Sequence, residues 1–165
     1  MITGPDRAPA LLRQPGGARP LAYIATPEPR NGDSAQRRRV RGSLELAVEE
    51  FGFEPFAPAA DAHPGVGTRL YARAREQMHS ASALIADMSE PSQGVAMALA
   101  WAAAEGVRTL ALVPEDADLD QLAWGLLDDS RAIVVRYPAA EVTVEAAARA
   151  GLPALTGAQR VDVLA

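Results

Sequence analysis

The chain contains no cysteine and no lysine, and each absence excludes a class of chemistry. Without cysteine there is no disulfide, no thiolate nucleophile and no thiolate metal ligand. All 16 basic residues are arginine, which excludes a Schiff-base lysine and the lysine of a P-loop. The two histidines, His63 and His79, lack the spacing of a metal site. The sequence therefore predicts no metal and no cofactor.

Long hydrophobic runs are also missing, although 48% of the residues are hydrophobic. No run approaches the roughly 20 apolar residues that span a bilayer, and the first twenty residues lack the apolar core of a secretory signal. We therefore expect a cytoplasmic protein with no membrane segment. The net charge of -5 argues against nucleic-acid binding. The basic cluster at 37–41 favours a solvated helix face over a phosphate or partner site.

The distribution of proline and glycine indicates three parts. Residues 1–20 are rich in both, which is typical of a flexible N-terminal tail. Residues 21–150 form the expected domain, and a length of 165 residues suits one such domain. Residues 151–165, with Pro153 and Gly157, are predicted to be a C-terminal tail.

Within the domain, short apolar runs alternate with segments of helical periodicity. The predicted strands are 21–26, 53–57, 83–88, 108–113 and 132–136. The predicted helices are 34–50, 68–80, 94–105, 116–127 and 142–150. This alternation predicts an α/β fold, a flavodoxin- or Rossmann-like three-layer sandwich around a five-stranded parallel sheet.

In open parallel sheets, ligands bind beyond the carboxyl ends of the strands. The loops that begin near Thr26, Ser89 and Pro114 are therefore the expected rim of a site. Ser92 and Gly94 lie at the start of the helix after the third strand, where free amides and the positive helix end can receive a phosphate. Alternatively, Ser92 only caps the helix and Gly94 only eases the turn.

The segment from Asp87 to Ala100 reads Asp-Met-Ser-Glu-Pro-Ser-Gln-Gly-Val-Ala-Met-Ala-Leu-Ala. It resembles the catalytic segment of the nucleoside 2-deoxyribosyltransferase family, closest to the 2'-deoxynucleoside 5'-monophosphate N-glycosidase branch. In that branch Pro-Ser-x-Gly-Val-x-x-Glu-Leu-Gly carries the nucleophilic glutamate, and Ala98 stands at its position here. The resemblance covers about residues 21–137.

Two further segments carry the resemblance to the catalytic centre. Tyr23, in Ala-Tyr-Ile-Ala, matches a tyrosine whose hydroxyl lies beside the catalytic carboxylate. Leu-Tyr-Ala-Arg-Ala at 70–74 resembles a helix that ends in Arg-Asp, whose aspartate assists proton transfer and sugar binding. Ala74 replaces that aspartate. Both carboxylates of the family are therefore absent from this chain.

The resemblance also implies a nucleoside 5'-monophosphate as ligand. Ser92 and, approximately, Arg30 match phosphate-binding residues, and Ser130 matches a serine that reaches the phosphate in the neighbouring subunit of a homodimer. Thr26, Asp87, Gly94 and Met97 complete the expected substrate-binding set. Trp101 and Trp124 are interpreted as core or dimer contacts rather than platforms for base stacking.

Two explanations fit the missing carboxylates: a natural pseudoenzyme, or a variant inactivated by alanine substitutions. Other carboxylates substitute poorly, since Glu76 is turned about 200° around the helix from Ala74, and Asp87 and Glu90 flank the loop rather than occupying the nucleophile position. The alternative function is a non-catalytic interaction or regulatory subunit that uses the fold as a scaffold.

Overall fold

The computed structural model describes residues 17–28, 34–58 and 67–157. Five parallel strands form one sheet in the order β2-β1-β3-β4-β5. The strands are β1 (Leu21–Ala25), β2 (Glu54–Phe56), β3 (Ala83–Asp87), β4 (Arg108–Pro114) and β5 (Ile133–Tyr137). The helices are α1 (Ser34–Glu50), α2 (Gly67–Ser80), α3 (Gln93–Glu105), α4 (Gln121–Asp129) and α5 (Val144–Leu155). The predicted flavodoxin-like α/β sandwich is confirmed.

Helices cover both faces of the sheet because side chains alternate along each buried strand. On one face, Ile24, Ile85 and Leu112 pack against α1 and α5. On the other, Tyr23, Leu84 and Ala86 pack with side chains of α2, α3 and α4. The strand order reverses direction between β1 and β3, so the switch point lies where these two strands end. We call this end of the sheet the carboxyl edge and the opposite end the amino edge.

Most predicted elements agree with the structure to within one or two residues, and two helices differ by more. Helix α4 begins at Gln121 rather than at 116, because the Asp120 carboxylate caps it by accepting a hydrogen bond from the Ala123 amide at 2.8 Å. Helix α5 continues to Leu155, beyond the predicted end at 150.

The extension of α5 corrects the predicted start of a C-terminal tail at residue 151. Gly151, Leu152 and Leu155 are buried against the sheet, and their burial outweighs the helix-breaking tendency of Gly151 and Pro153. Thr156 closes the helix by donating its hydroxyl hydrogen to the Pro153 carbonyl at 2.8 Å. Residues 1–16 and 158–165, which hold most of the two predicted tails, lie outside the described residues.

No helix in the described part of the chain is both long enough and apolar enough to cross a bilayer.

Candidate functional site

Helix α3 begins at the carboxyl edge, directly after the loop that leaves β3. Ser92 has extended backbone dihedrals (φ -144°, ψ 126°), and its hydroxyl oxygen accepts a hydrogen bond from the Val95 amide at 3.4 Å. Ser92 is therefore a helix cap, as one of the two interpretations of the sequence proposed. Its hydroxyl hydrogen and the other amides of the first turn remain available to an anion.

Gly94 lies in the first turn of α3 and is exposed. A Cβ atom added there would meet only the Ser92 hydroxyl oxygen, at 3.8 Å, which is ordinary van der Waals contact. The fold of the chain therefore does not require glycine at this position, although a ligand that approaches the backbone closely would.

Tyr23, Ala74 and Ala98 all belong to the buried core on the face of the sheet that α2, α3 and α4 cover. Ala74 is 5% exposed and Ala98 is 1% exposed. Burial raises the pKa of Tyr23 to about 12, so its phenol stays protonated at neutral pH. The alanines at positions 74 and 98 place no carboxylate in this core.

Arg73 is a cation beside this core that the sequence did not single out. Its guanidinium lies 5.5 Å from the centre of the Phe56 ring, and that ring packs 5.4 Å from the ring of Tyr23. The only sequence feature that could have indicated Arg73 is its position immediately before Ala74. Nothing in the sequence predicted its contact with Phe56 on β2. Arg73 is exposed and supplies positive charge near the carboxyl edge.

Asp87 ends β3 and is directed toward the other face of the sheet. Asp87 follows Ile85 by two residues along β3, so both side chains lie on the same face of the sheet. Ile85 packs against α1 and α5, and Asp87 is 1% exposed. Its Oδ1 accepts a hydrogen bond from the Ser89 amide at 3.0 Å, and its Oδ2 has no partner among the described residues. Asp87 therefore shapes the loop that leads to Ser92, rather than lying with Ala98.

Desolvation raises the pKa of Asp87 and outweighs its hydrogen bonds to Ser89 and the charge of Arg37. Because the folded pKa exceeds the unfolded one, this carboxyl favours the folded state at low pH and loses that contribution as pH rises. We expect Asp87→Asn, which keeps an oxygen for Ser89, to raise the melting temperature at pH 7 and to have little effect near pH 3.5. Thermal unfolding at both pH values tests this; a lower melting temperature at pH 7 would contradict it.

One arginine of the basic cluster on α1 contacts a loop at the carboxyl edge. Arg37 forms an ion pair with Glu90 of the β3–α3 loop, 53 residues away, while Arg38 and Arg39 are exposed. The expectation of a solvated face therefore describes Arg38 and Arg39, whereas Arg37 connects α1 to the loop before Ser92.

A groove of about 490 Å³ lies between α3 and α4. Its walls are mainly apolar, with Ser92 and the carboxylates of Glu90, Asp118 and Asp120 among its lining. Ala98 and Ala74 do not line it. The first turn of α3 thus adjoins the groove through Ser92.

Within one protomer, Ser130 does not lie beside Ser92 at the carboxyl edge. It follows α4 at the amino edge, where its hydroxyl donates to the Leu127 carbonyl at 3.2 Å. There it shares a cavity of about 280 Å³ with Ala102, Ala103 and Gly106 at the far end of α3. Ser92 and Ser130 therefore lie at opposite ends of one helix.

The remaining predicted site residues lie at the following positions. Thr26 follows β1 at the carboxyl edge and is half-buried. Met97 lies on α3 next to Ala98 and is 40% exposed. Arg30 and His63 lie outside the described residues. Within the described ranges, no group of three histidine, aspartate or glutamate side chains is placed to hold a metal ion.

Solved structures with this architecture include nucleoside-processing enzymes. The CMP N-glycosidase BcmB of Clostridium botulinum is 24% identical, with a TM-score of 0.54 over 71% of this chain and 88% of that one. A 2-deoxyribosyltransferase from Bacillus psychrosaccharolyticus is 15% identical, with a TM-score of 0.52 over 71% and 85% of the two chains. A conserved protein from Enterococcus faecalis V583 is 15% identical, with a TM-score of 0.54 over 79% and 98%.

No protein-family model matches the sequence, and no curated protein matches it. The solved structures show that the chain has the fold of 2-deoxyribosyltransferases and of a CMP N-glycosidase. The resemblance found in the sequence is therefore confirmed at the level of the fold.

Proposed function

We propose that this protein binds a nucleoside 5'-monophosphate at the carboxyl edge, as a non-cleaving relative of the nucleoside 2-deoxyribosyltransferases and N-glycosidases. The observation that carries the proposal is that Tyr23, Ala74 and Ala98 belong to one buried core, and that Ala98 follows the helix cap Ser92 by six residues. These are the positions that the family resemblance assigned to the catalytic centre and the phosphate. The fold shared with the CMP N-glycosidase supports the same conclusion.

In this proposal the phosphate binds at the first turn of α3. The amides of that turn and the Ser92 hydroxyl donate hydrogen bonds to its oxygens, and the positive end of the helix favours its charge. Thr26 after β1 and Met97 of α3 complete the pocket, and the family resemblance adds Arg30. Ser130 of the partner subunit in a homodimer supplies a further hydroxyl.

The family resemblance then places the sugar and base beside Tyr23 and positions 74 and 98. Cleavage of the N-glycosidic bond requires a carboxylate that attacks C1' and an acid that protonates the departing base. Alanine supplies neither at position 98 or 74, so the bound nucleotide stays intact. This holds equally for a natural pseudoenzyme and for an inactivated variant.

Calorimetric titration with matched pairs of nucleosides and their 5'-monophosphates tests the proposal. We expect the monophosphates to bind at least about tenfold more tightly, since charge-assisted hydrogen bonds to phosphate contribute about 1.5–3 kcal/mol each. Inorganic phosphate serves as the control for anion binding without a nucleoside. Equal affinity for both members of each pair would remove the phosphate assignment.

The substitution Gly94→Ala distinguishes an effect on ligand affinity from an effect on the stability of the fold. An added Cβ has room within the chain, so the melting temperature is expected to stay equal or to rise slightly. Affinity for the monophosphate is expected to fall at least about fivefold, because the methyl group blocks close approach of the phosphate to the backbone. Calorimetry beside thermal unfolding measures both, and unchanged affinity would place the phosphate elsewhere.

A further inference from the structure

The loop between β3 and α3 is held at several points along its length. At its start the Ser89 amide donates a hydrogen bond to Asp87 Oδ1 at 3.0 Å, and at its end the Ser92 hydroxyl caps α3. Between these points, the Glu90 carboxylate forms an ion pair with Arg37 in the first turn of α1. Glu90 therefore connects the loop before Ser92 to an arginine that is 53 residues away along the chain.

Arg37 differs in its burial from the other arginines of its cluster. Its side chain is 19% exposed, whereas Arg38 and Arg39 are exposed. A partly buried cation needs a charged or polar partner, because it has lost part of its hydration. Glu90 is that partner, and Arg37 makes no other ion pair among the described residues. Arg37 therefore faces the loop rather than solvent.

A second carboxyl group is affected by the same two charges. The positive charge of Arg37 lowers the pKa of Asp87, and the negative charge of Glu90 raises it. Charges influence one another in this way only over short distances at ordinary salt concentration. One cation and two carboxyl groups therefore lie close together at the carboxyl edge, and Arg37 balances the charge of Glu90.

The charge of Glu90 matters because Glu90 and Ser92 line the same groove. The first turn of α3 favours an anion through its free amides and the positive helix end. A carboxylate two residues before Ser92 opposes this attraction unless a cation neutralises it. The groove lining adds two further carboxylates, Asp118 and Asp120, and no arginine among the described residues. Arg37, which extends from α1, is therefore the cation that offsets negative charge beside Ser92.

We propose that Arg37 acts through Glu90 as a positioning residue of the phosphate site: it holds the Glu90 carboxylate against α1 and cancels its charge, so that a phosphate can bind at Ser92. This inference rests on the proposed function, because it concerns the affinity of the first turn of α3 for a phosphate. Arg37 does not contact the ligand in this arrangement. Its effect is carried by charge, and not by the stability of the fold.

Calorimetry with charge variants tests the inference. Arg37→Gln is expected to weaken binding of a nucleoside 5'-monophosphate about tenfold, because Glu90 is left unpaired near the phosphate. Affinity for the uncharged nucleoside should stay the same, and Arg37→Lys, which keeps the charge, should bind the monophosphate nearly as the parent does. Arg38→Gln is the matched control, since it removes the same charge from an exposed neighbouring position and should change affinity less than about twofold.

Removal of both partners distinguishes charge compensation from direct contact. Arg37→Gln combined with Glu90→Gln is expected to restore affinity to within about twofold of the parent, since no unpaired carboxylate remains at position 90. Glu90→Gln alone should bind at least as tightly as the parent. A double variant as weak as Arg37→Gln would overturn the proposal, because Arg37 would then contact the phosphate itself or only support the fold. Equal losses in Arg37→Gln and Arg38→Gln would overturn it as well.

A measurement without nucleotide separates this inference from the proposed function. NMR titration of the Asp87 carboxyl carbon should show a higher pKa in Arg37→Gln and a lower pKa in Glu90→Gln. An unchanged pKa in both variants would overturn the inference. If the pKa shifts as expected but the parent shows no preference for monophosphates, the proposed function fails and the compensation of Glu90 by Arg37 stands. If the parent prefers monophosphates and Arg37→Gln keeps that preference, the proposed function stands and the role of Arg37 fails.

Discussion

The double substitution Ala98→Glu and Ala74→Asp is expected to give a protein that cleaves nucleoside 5'-monophosphates, with base release at least about 10³-fold faster than in the parent. Positioned acid–base groups contribute about 10²–10⁴-fold each to such reactions, and the carboxylate nucleophile opens a covalent route that the parent lacks. The effect is large because the parent has alanine at both positions.

The chemical steps are those that the family resemblance implies for the two side chains. A carboxylate at position 98 attacks C1' of the sugar, and the C1'–N bond breaks as the base leaves. The carboxylic acid at position 74 protonates the leaving base, and water then hydrolyses the glycosyl ester to release the sugar phosphate. Tyr23 remains protonated because burial raises its pKa to about 12, so it can donate a hydrogen bond to the new carboxylate.

The same double variant is expected to be less stable than the parent. Position 98 is 1% exposed and position 74 is 5% exposed, so each new carboxyl group is desolvated and its pKa rises. Groups with a raised folded pKa favour folding below the unfolded value and lose that contribution as pH increases. The loss of stability relative to the parent is therefore expected to grow from pH 4 to pH 8, which thermal unfolding across that range measures.

Chromatographic detection of free base, with a CMP and a dCMP substrate, measures the activity. The matched control is Ala98→Gln with Ala74→Asn, which has similar volume and polarity but neither nucleophile nor acid, and which should stay inactive. Base release by the parent would contradict the prediction. So would a double variant that folds, binds the monophosphate and releases no base.

The fold could be predicted from the sequence because the buried strands are short apolar runs separated by amphipathic helices and by clear caps. Ser92 before α3 and Gly106 after it are local signals, and the structure uses both, with Gly106 at φ 68°. Helix α5 was predicted too short because Gly151 and Pro153 are local breakers. Packing of Leu152 and Leu155 against the sheet decides that end of the helix, and no local pattern encodes it.

The candidate site was predictable only in part, because some of its contacts join distant segments. The resemblance identified Tyr23, Ala74 and Ala98, and all three are buried in the core on one face of the sheet. The direction of Asp87 could have been derived from alternation with Ile85 along β3. The Arg37–Glu90 ion pair, by contrast, connects segments whose proximity depends on the completed sheet, and charge patterns along the chain do not reveal it.

Gly151→Ala is expected to destabilise the protein by about 1–3 kcal/mol, the usual cost of overpacking a core. A Cβ added at Gly151 of α5 would come within 2.5 Å of Leu110 Cδ1 and 2.8 Å of Val135 Cγ2 on the sheet. Leu110 can turn its flexible end, but the β-branched Val135 cannot rotate freely. The alanine gains helix propensity, and this gain is smaller than the packing cost.

Gly42→Ala, within α1, is the matched control for Gly151→Ala. An added Cβ at position 42 meets nothing within 4 Å, so this variant is expected to gain about 0.5–1 kcal/mol from helix propensity. Urea unfolding at pH 7 measures both changes in free energy. Since α5 covers the face of the sheet opposite to Tyr23 and Ala98, Gly151→Ala should keep the parent's affinity for the monophosphate where it is folded. Equal stability of the two variants would show that α5 can move away from Val135, and that its close packing does not limit the stability of the fold.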